Sequence, residues 1–263
     1  MSPLVNKPFL ASMRLTRELV PAFNVYPFSL AAVAGLETIE FHPRVTFFVG
    51  ENGSGKSTLM EAIAVALGLN PEGGSKNFNF ATRASHSQLS EFLVLKRSLR
   101  KPRNLWFLRA ESFFNVASEI ERLDAEGGGP RIIDAYGGKS LHEQSHGESF
   151  FALFRNRFGG QGLYLLDEPE AALSPMRQLG FLSMLHDLVR EGSQFIIATH
   201  SPIMMAYPDA WIYSIGGAAV SRVPYEETEH YQVTRDFLDH PARSLKVLLD
   251  RPAIDEGGLW ATS

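Results

Sequence analysis

The sequence predicts an α/β fold in which a mainly parallel sheet is flanked by helices. Short apolar runs bounded by glycine and proline are typical of buried strands. One such run, "VTFFV", is followed by a glycine-rich turn and then by an amphipathic helix. From Gly147 onwards, helical and strand patterns alternate along the chain. Such alternation indicates parallel strands that are connected by helices.

The first predicted strands lie in the amino-terminal part of the chain. Apolar runs indicate strands over residues 28–30, 36–41 and 45–49. The helix predicted after Thr58, "LMEAIAVALGL", has its apolar residues on one face and a stop signal at Gly68. This order of strand, glycine-rich turn and helix is the first unit of the predicted core.

The remaining elements fall into a less regular middle segment and a regular second half. The middle segment contains a helical pattern, "NVASEIERL", and is predicted to form a separate lobe with surface loops. The second half predicts helix "ESFFALFRNRF", strand "GLYLLDEP", helix "PMRQLGFLSMLHDLVREG", and strands "SQFIIATH", "WIYSI" and "AVSRV". The tail predicts two short helices separated at Pro241.

These patterns predict one domain with three parts. The core lobe covers about residues 1–75 and 155–224, and a smaller, partly helical inserted lobe covers about residues 76–154. A helical tail covers about residues 225–263. A chain of 263 residues is long enough for one well-filled core of this kind.

Composition narrows the classes of function. The net charge of -4 does not mark the whole chain as a nucleic-acid binder. Because the sequence has no cysteine, it can form neither a disulfide nor a thiolate site, and any zinc would need histidine and carboxylate ligands. No signal peptide is evident, and no apolar run reaches about 18 residues. We therefore expect a soluble, cytoplasmic protein without direct membrane insertion.

The segment "GENGSGKS" matches the phosphate-binding pattern G-x-x-x-x-G-K-[ST] at every fixed position. Its glycines allow consecutive backbone N–H groups to face phosphate oxygens, and the following helix adds its positive end. We expect Lys56 to reach the β- and γ-phosphates and Ser57 to bind Mg²⁺. The predicted nucleotide-binding residues are Gly50, Glu51, Asn52, Gly53, Ser54, Gly55, Lys56, Ser57 and Thr58.

Two later strands end in polar residues that suit phosphate chemistry. "LYLLDEP" ends in Asp167, which can hold Mg²⁺, and in Glu168, which can orient and deprotonate an attacking water. "FIIATHSP" ends near His200, whose imidazole can hydrogen-bond a γ-phosphate. We therefore predict that Glu168, His200 and Lys56 are catalytic.

The segment "LHEQSHGESF" permits two interpretations. His142, Glu143 and His146 match H-E-x-x-H, which is the helical motif of zinc hydrolases. A zinc site needs a continuous helix and a third ligand, whereas Gly138 and Gly147 leave room for only a short helix. The alternative is a degenerate signature sequence of an ATPase, with Ser145 beside a helix N-terminus that can bind an anion.

The phosphate loop, "SHGES", "LYLLDEP" and "IIATHS", in this order, resemble the ABC-type ATPase superfamily, and more closely its small standalone predicted AAA-type members. The resemblance covers about residues 44–202 and implies a P-loop NTPase core that binds Mg²⁺ and ATP. It also implies an ATP-dependent head-to-tail homodimer with two buried nucleotides. The implied signature residues facing the partner's ATP are Ser145, His146, Gly147 and Glu148.

The match to the superfamily departs from the usual pattern at several positions. His146 stands where the family prefers glycine, Gln144 where it prefers leucine, and Ser174 where it usually has aspartate. For the glutamine that joins core and helical lobe, and as a further magnesium ligand, the resemblance points to Glu111, with Gln88 as the alternative. These departures concern how tightly the second subunit of the implied dimer docks.

Other features leave alternatives open. Tyr26 or Phe28 could stack on the adenine. A cationic cluster could be a solvated surface, a nucleic-acid site that uses phosphate contacts and the nearby Trp106 and Phe107, or a protein site. The biological role could be that of a standalone ATPase with a nucleic-acid or protein effector, a transporter subunit, or a nucleotide sensor. The cluster consists of Lys96, Arg97, Arg100, Lys101 and Arg103.

Overall fold

The structure, a computed structural model, describes residues 7–75, 87–111, 122, 124, 133–134, 146–216 and 219–250. Its strands are β1 (Leu10–Leu15), β2 (Thr38–Glu40), β3 (Val45–Gly50), β4 (Gly74–Ser75), β5 (Leu93–Arg97), β6 (Asn104–Arg109), β7 (Gly162–Asp167), β8 (Gln194–Ala198), β9 (Trp211–Gly216) and β10 (Ala219–Val223). Its α-helices are α1 (Ala31–Ala34), α2 (Lys56–Ala66), α3 (His146–Arg157), α4 (Pro175–Arg190), α5 (Pro202–Met205), α6 (Glu229–Asp239) and α7 (Pro241–Leu249).

The main sheet has seven strands in the order β10-β9-β3-β8-β7-β6-β4. The five central strands are parallel, and the edge strands β10 and β4 are antiparallel to their neighbours. Parallel neighbours end at the same edge of a sheet, so β3, β7 and β8 bring their carboxyl ends together. The predicted α/β class with a mainly parallel sheet is therefore confirmed.

The core fills both faces of this sheet. Along β3, Val45, Phe47 and Val49 pack on one side and Phe48 on the other, as the two-residue period of a strand requires. One face carries α3 and α4 with a dense aromatic cluster, and the other carries α1, α2 and the small sheet. Every residue of β3, β7 and β8 is buried, which explains why their sequences are apolar throughout.

A smaller antiparallel sheet has the order β2-β1-β5. Met13 on β1 pairs with Ile39 on one side and Leu95 on the other. The fully buried Gln194 of β8 joins this sheet to the main one. Its side-chain oxygen accepts hydrogen bonds from the backbone N–H groups of Phe9 and Leu10, and its amide donates to the Leu10 carbonyl. The two sheets therefore form one continuous body.

Two strand predictions need correction. Residues 28–30 form a turn before α1, because Phe28 is buried in the core and packs edge-on against Phe92 with ring centroids 5.0 Å apart. Apolar residues in this stretch are thus explained by core packing and not by strand pairing. The strand predicted over residues 36–41 is shorter, Thr38–Glu40, and belongs to the small antiparallel sheet.

The predicted boundary of the inserted lobe also differs from the observed sheets. The prediction placed residues 76–154 outside the core, yet β6 lies between β7 and β4 in the main sheet and β5 pairs with β1. The helix predicted over residues 115–123 falls on positions of which the structure describes only Arg122.

The carboxyl-terminal segment forms the two predicted helices. Helix α6 ends at Asp239 and α7 begins at Pro241, so the predicted separation is confirmed. Among the residues that the structure describes, none of the helices has the length and apolarity needed to cross a membrane.

Candidate active site

The loop between β3 and α2 depends on glycine at two positions. Gly50 has φ 150°, and a Cβ atom there would overlap the backbone carbonyl of Ile215 on β9. Gly55 has φ 98° at the start of α2, and a Cβ atom would come within 2.9 Å of the Leu30 side chain. These conformations place the loop over the N-terminus of α2, whose first N–H groups lack helical partners. The loop is therefore suited to hold an anion.

Lys56 occupies the first position of α2 and is almost fully buried. Its ammonium group donates to the backbone carbonyls of Gly50 and Glu51, each at 2.8 Å. Burial lowers the pKa of Lys56, whereas the nearby carboxylates of Glu168, Asp167 and Glu170 raise it. The loop thus closes around its own cation.

Asp167 ends β7, and the fold brings it beside Ser57 although the two are 110 residues apart. The Ser57 hydroxyl donates to one carboxylate oxygen at 3.2 Å, and the Arg109 Nε atom lies 3.5 Å from the other. Burial raises the pKa of Asp167 to about 7, and the Arg109 charge opposes this rise. The Asp167 carboxylate is therefore buried and its charge is only partly neutralised, and the half-buried Ser57 hydroxyl lies beside it.

Glu168 follows directly and has an unusual backbone conformation, with φ 52°. Non-glycine residues with positive φ are uncommon and concentrate at functional sites. Its side chain is 35% exposed, and its Oε1 atom lies 3.4 Å from the Nε2 atom of His200. Solvent therefore reaches Glu168, while the neighbouring Asp167 is shielded.

His200 follows the end of β8 and is held by two contacts. Its backbone N–H donates to the Glu170 carboxylate at 2.6 Å, and its Nδ1 atom lies 2.9 Å from the Nε2 atom of His230 on α6. Burial and the Lys56 charge lower the pKa of His200, whereas the Glu168 charge raises it. Sequence reasoning missed Glu170 and His230; Glu170 could have been noticed as the second acid of "DEPE", but nothing in the pattern around His230 indicated a site.

Two cavities flank the loop. One of about 390 Å³ is lined by loop residues 50–54, by the end of β9 and by Glu229 and His230. The other, of about 230 Å³, is lined by Leu30, by loop residues including Lys56 and Ser57, and by Glu168. The larger of the two is within the size range of small-molecule sites, and both are lined in part by the loop.

The predicted signature segment is described only in part. Ser145, like the upstream His142, Glu143 and Gln144, lies outside the described residues, and of His146 only the backbone is described, at the first position of α3. A Cβ atom on Gly147 would overlap the Arg177 guanidinium group on α4. The Glu148 carboxylate lies 3.9 Å from the same group. The start of α3 is thus packed against α4.

The zinc alternative gains no support from the described residues, in which no group of three histidine or carboxylate side chains is placed to hold a metal ion. Two of the three residues that carry its motif, His142 and Glu143, lie outside that part of the chain, so the motif itself is untested.

The other predicted site residues differ in their exposure and in their connection to the site. Glu111 follows β6 with 84% of its side chain exposed and contacts Arg109 at 3.7 Å, so it is connected to Asp167 through that arginine. Gln88 is exposed on a 3-10 helix. Tyr26 is 65% exposed, whereas Phe28 is buried and therefore wrong as a candidate for adenine stacking.

Four members of the cationic cluster line a separate groove of about 710 Å³ near the beginning of β6: Arg97, Arg100, Lys101 and Arg103. Arg100 donates to the Gly192 carbonyl and Arg97 to the Ala66 carbonyl, so both are partly used within the fold. Trp106 and Phe107 are buried in the core and are not available to stack on bases. The aromatic part of the nucleic-acid hypothesis is therefore wrong.

Comparison with known proteins agrees with this arrangement. Residues 24–122 match the model of a family described as an AAA domain. A Geobacter sulfurreducens protein, named as an ABC transporter ATP-binding protein, is 28% identical over 170 residues, which are 58% of either chain. The macrolide export ATP-binding/permease protein MacB of Chlorobium luteolum is 28% identical over 78% of this chain and 33% of its own. The match thus spans little more than half of the first relative and a third of the second.

The solved structures matched include the SMC head domain from Thermotoga maritima, with a TM-score of 0.43 and 17% identity over 82% of this chain and 98% of that one. The sheet, the glycine-rich loop and the buried acidic strand define a P-loop NTPase. Together with the order of the motifs and the matched relatives, these features make the chain similar to members of the ABC-type ATPase superfamily.

Proposed function

We propose that this protein binds Mg²⁺-ATP and hydrolyses it to ADP and phosphate. The observation that carries the proposal is that one lysine and two pairs of side chains meet at one edge of the sheet. Lys56 lies within the glycine-rich loop, Ser57 contacts Asp167, and Glu168 contacts His200. A cation, two oxygen donors for a metal, and an acid–base pair are the groups that phosphoryl transfer to water needs.

The loop is the proposed binding site of the triphosphate. Its backbone N–H groups and the N-terminus of α2 supply donors, and Lys56 supplies a full positive charge. The carbonyls that now accept from the Lys56 ammonium are neutral, so charged phosphate oxygens are stronger acceptors for it. The proposed contacts are those of residues 50–58 predicted from the sequence.

The residues beside the loop fit a magnesium ion. Magnesium prefers oxygen ligands, and the Ser57 hydroxyl and the Asp167 carboxylate are adjacent. Because burial raises the pKa of Asp167 to about 7, a bound cation would stabilise its ionised form. Ser57 and Asp167 would hold the ion, which supplies neutralisation of phosphate charge, and Glu111 remains the predicted further ligand.

Glu168 is the proposed general base. Its carboxylate accepts a proton from water as the water oxygen bonds to the γ-phosphorus and the bond to the bridging oxygen of ADP breaks. Its partial exposure leaves room for that water. His200 then donates from Nε2 to the γ-phosphate and stabilises the charge that develops there.

The superfamily implies that ATP closes two copies into a head-to-tail dimer. Ser145, His146, Gly147 and Glu148 are the residues proposed to face the partner's ATP. Because each site would then need groups from both copies, hydrolysis would depend on dimerisation.

The cytoplasmic location of the protein stays a prediction of the sequence.

A second candidate role is that of the ATP-binding subunit of a transporter. The names of the relatives support it, since these include the vitamin B12 import ATP-binding protein BtuD of Yersinia enterocolitica, 25% identical over 72% of this chain and 78% of its own. A nucleic acid or a protein effector remains the alternative partner, and the cationic groove near β6 is the surface that would receive it.

The proposal is tested by measuring phosphate release from ATP with and without magnesium. We expect release by the wild type that requires magnesium, and a loss of at least about tenfold in Lys56→Ala. Lys246→Ala is the matched control, because Lys246 is exposed on α7. Absence of release from the wild type, or equal release from Lys56→Ala, would contradict the proposal.

A further inference from the structure

The start of α6 is attached to the segment that follows His200. The Tyr225 hydroxyl donates to the Pro202 carbonyl at 2.9 Å, and the Thr228 hydroxyl donates to the Tyr225 carbonyl at 2.7 Å. Thr228 is 1% exposed. The rings of Tyr225 and Tyr231 pack with centroids 4.6 Å apart. These contacts hold the first turn of α6 over the candidate active site independently of any histidine.

His230 lies in that first turn and reaches two parts of the site. Its Nε2 atom is 2.9 Å from the Nδ1 atom of His200, which is the distance of a good hydrogen bond. Together with Glu229, it also lines the cavity of about 390 Å³ beside the phosphate loop. The fold therefore places a second imidazole directly behind the first.

The protonation of the pair follows from its neighbours. The His200 Nε2 atom is shielded from solvent and, among the described residues, has no hydrogen-bond partner, although the Glu168 carboxylate lies 3.4 Å away. A carboxylate only accepts, so it favours a proton on His200 Nε2. A neutral His200 then has a bare Nδ1 atom, which must accept its hydrogen bond from His230 Nε2–H.

The charged groups around the pair support two neutral rings. Burial lowers the pKa of both His200 and His230, and the Lys56 charge lowers both further. The Glu168 charge acts in the opposite direction on His200, as do those of Glu229 and Glu51 on His230. Glu170 binds the backbone of His200 and not its ring.

We propose that His230 is a positioning residue, which donates a hydrogen bond to His200 and so keeps the His200 Nε2–H on the side that faces Glu168, the proposed base. The inference rests on the proposed ATP hydrolysis and adds a residue from the carboxyl-terminal helix to that site. It follows that the position of α6 controls how well His200 donates. His230 itself touches no reacting atom in this arrangement.

The test compares two substitutions of similar size. Glutamine can place an N–H donor near the position of the His230 Nε2 atom, whereas leucine cannot donate. We expect His230→Leu to lower kcat for ATP hydrolysis about tenfold with little change in KM, and His230→Gln to retain most of kcat. Asp236→Asn, at an exposed position on the same helix, is the control and should match the wild type.

A double-mutant cycle separates positioning from a general loss of structure. In a His200→Ala background, His230→Leu should have almost no further effect, because its partner is already absent. An equal loss in both backgrounds, or equal activity of His230→Leu and the wild type, would overturn the inference. If the wild type itself released no phosphate, the proposed function would fail; an active wild type with an unchanged His230→Leu would refute only the role of His230.

Discussion

The carboxyl edge of the main sheet and the two carboxyl-terminal helices hold their side chains in different ways. At the sheet edge, Lys56 and Asp167 are almost fully buried, and each contacts groups that come from other elements. The structure describes every residue of α6 and α7, and none of them is buried. Apolar side chains such as Val233, Phe237 and Leu249 are exposed on these helices.

Because of this difference, substitutions in the two regions should affect stability and catalysis differently. The sheet edge is fixed by the same packing that stabilises the fold, so substitutions there change both properties. The helices contribute little buried apolar surface, and their main contact with the site is one imidazole, His230. Substitution of His230 should therefore change turnover without a large change in the free energy of unfolding, and other exposed positions of the helices should change neither property.

The largest effect is expected at the sheet edge, for Glu168→Gln. Removing the proposed base should lower the rate of ATP hydrolysis by about a thousandfold, because glutamine cannot accept the proton of water. ATP binding should persist, and the ATP-bound variant should accumulate as a dimer. Phosphate release and sedimentation velocity measure the two properties.

The control for that variant is Glu226→Gln, since Glu226 is exposed outside the site. If Glu168→Gln kept full turnover, Glu168 would not be the base. A variant that bound ATP, did not hydrolyse it and stayed monomeric would remove the proposed dimer.

The second prediction concerns the core below the same edge. Phe154 on α3 is 1% exposed, and its ring lies 4.6 Å from that of Phe158 and 4.9 Å from that of Phe181. We expect Phe154→Ala to lower the free energy of unfolding by about 3–5 kcal/mol, through lost burial and the cavity left behind. Denaturant titration measures this change, and a loss below about 1 kcal/mol would contradict the observed packing.

The third prediction uses pH. The pKa of Asp167 rises from its ordinary value of 3.8 to about 7 on burial. The stability contributed by such a group is greatest below about pH 4 and is lost as the pH rises to about 7. In magnesium-free buffer at about pH 8, Asp167→Asn should therefore exceed the wild type in free energy of unfolding, by at most about 4 kcal/mol.

The difference between Asp167→Asn and the wild type should shrink as the pH is lowered to about 5. Denaturant titrations at both pH values measure it. An advantage of the asparagine variant that was larger at low pH would show that burial does not raise the pKa of Asp167.

The smallest effect is expected in the helices. Phe237 on α6 is 40% exposed, and its substitution by alanine is the matched comparison for Phe154→Ala in the core. We expect Phe237→Ala to change the free energy of unfolding by less than about 0.5 kcal/mol. A loss comparable with that of Phe154→Ala would mean that α6 is packed as firmly as the core, and the contrast between the regions would not hold.

The parts of the site that sequence reasoning identified are those encoded by contiguous residues. The loop of residues 50–58 and the pair Asp167–Glu168 each follow an apolar run whose buried strand is visible in the sequence. Their meeting could be predicted because parallel strands end at a common edge. The same logic located His200 after β8.

The errors and omissions arose where tertiary contacts decide the outcome. Phe28 is apolar because it packs on Phe92, which a local pattern cannot distinguish from a strand. Strand β6 joined the main sheet through pairing with β7, a partner far along the chain. His230 lies 30 residues from His200 on an exposed helix, where a histidine carries no local signal.

The central claim, that the sheet edge is a Mg²⁺-ATP site, is tested most directly by calorimetric titration of ATP into Glu168→Gln, which cannot consume the ligand. We expect saturable binding that weakens at least about tenfold when magnesium is removed, and that weakens similarly when Lys56→Ala is added. No saturable binding of ATP, or binding of equal strength with Lys56→Ala present, would contradict the claim.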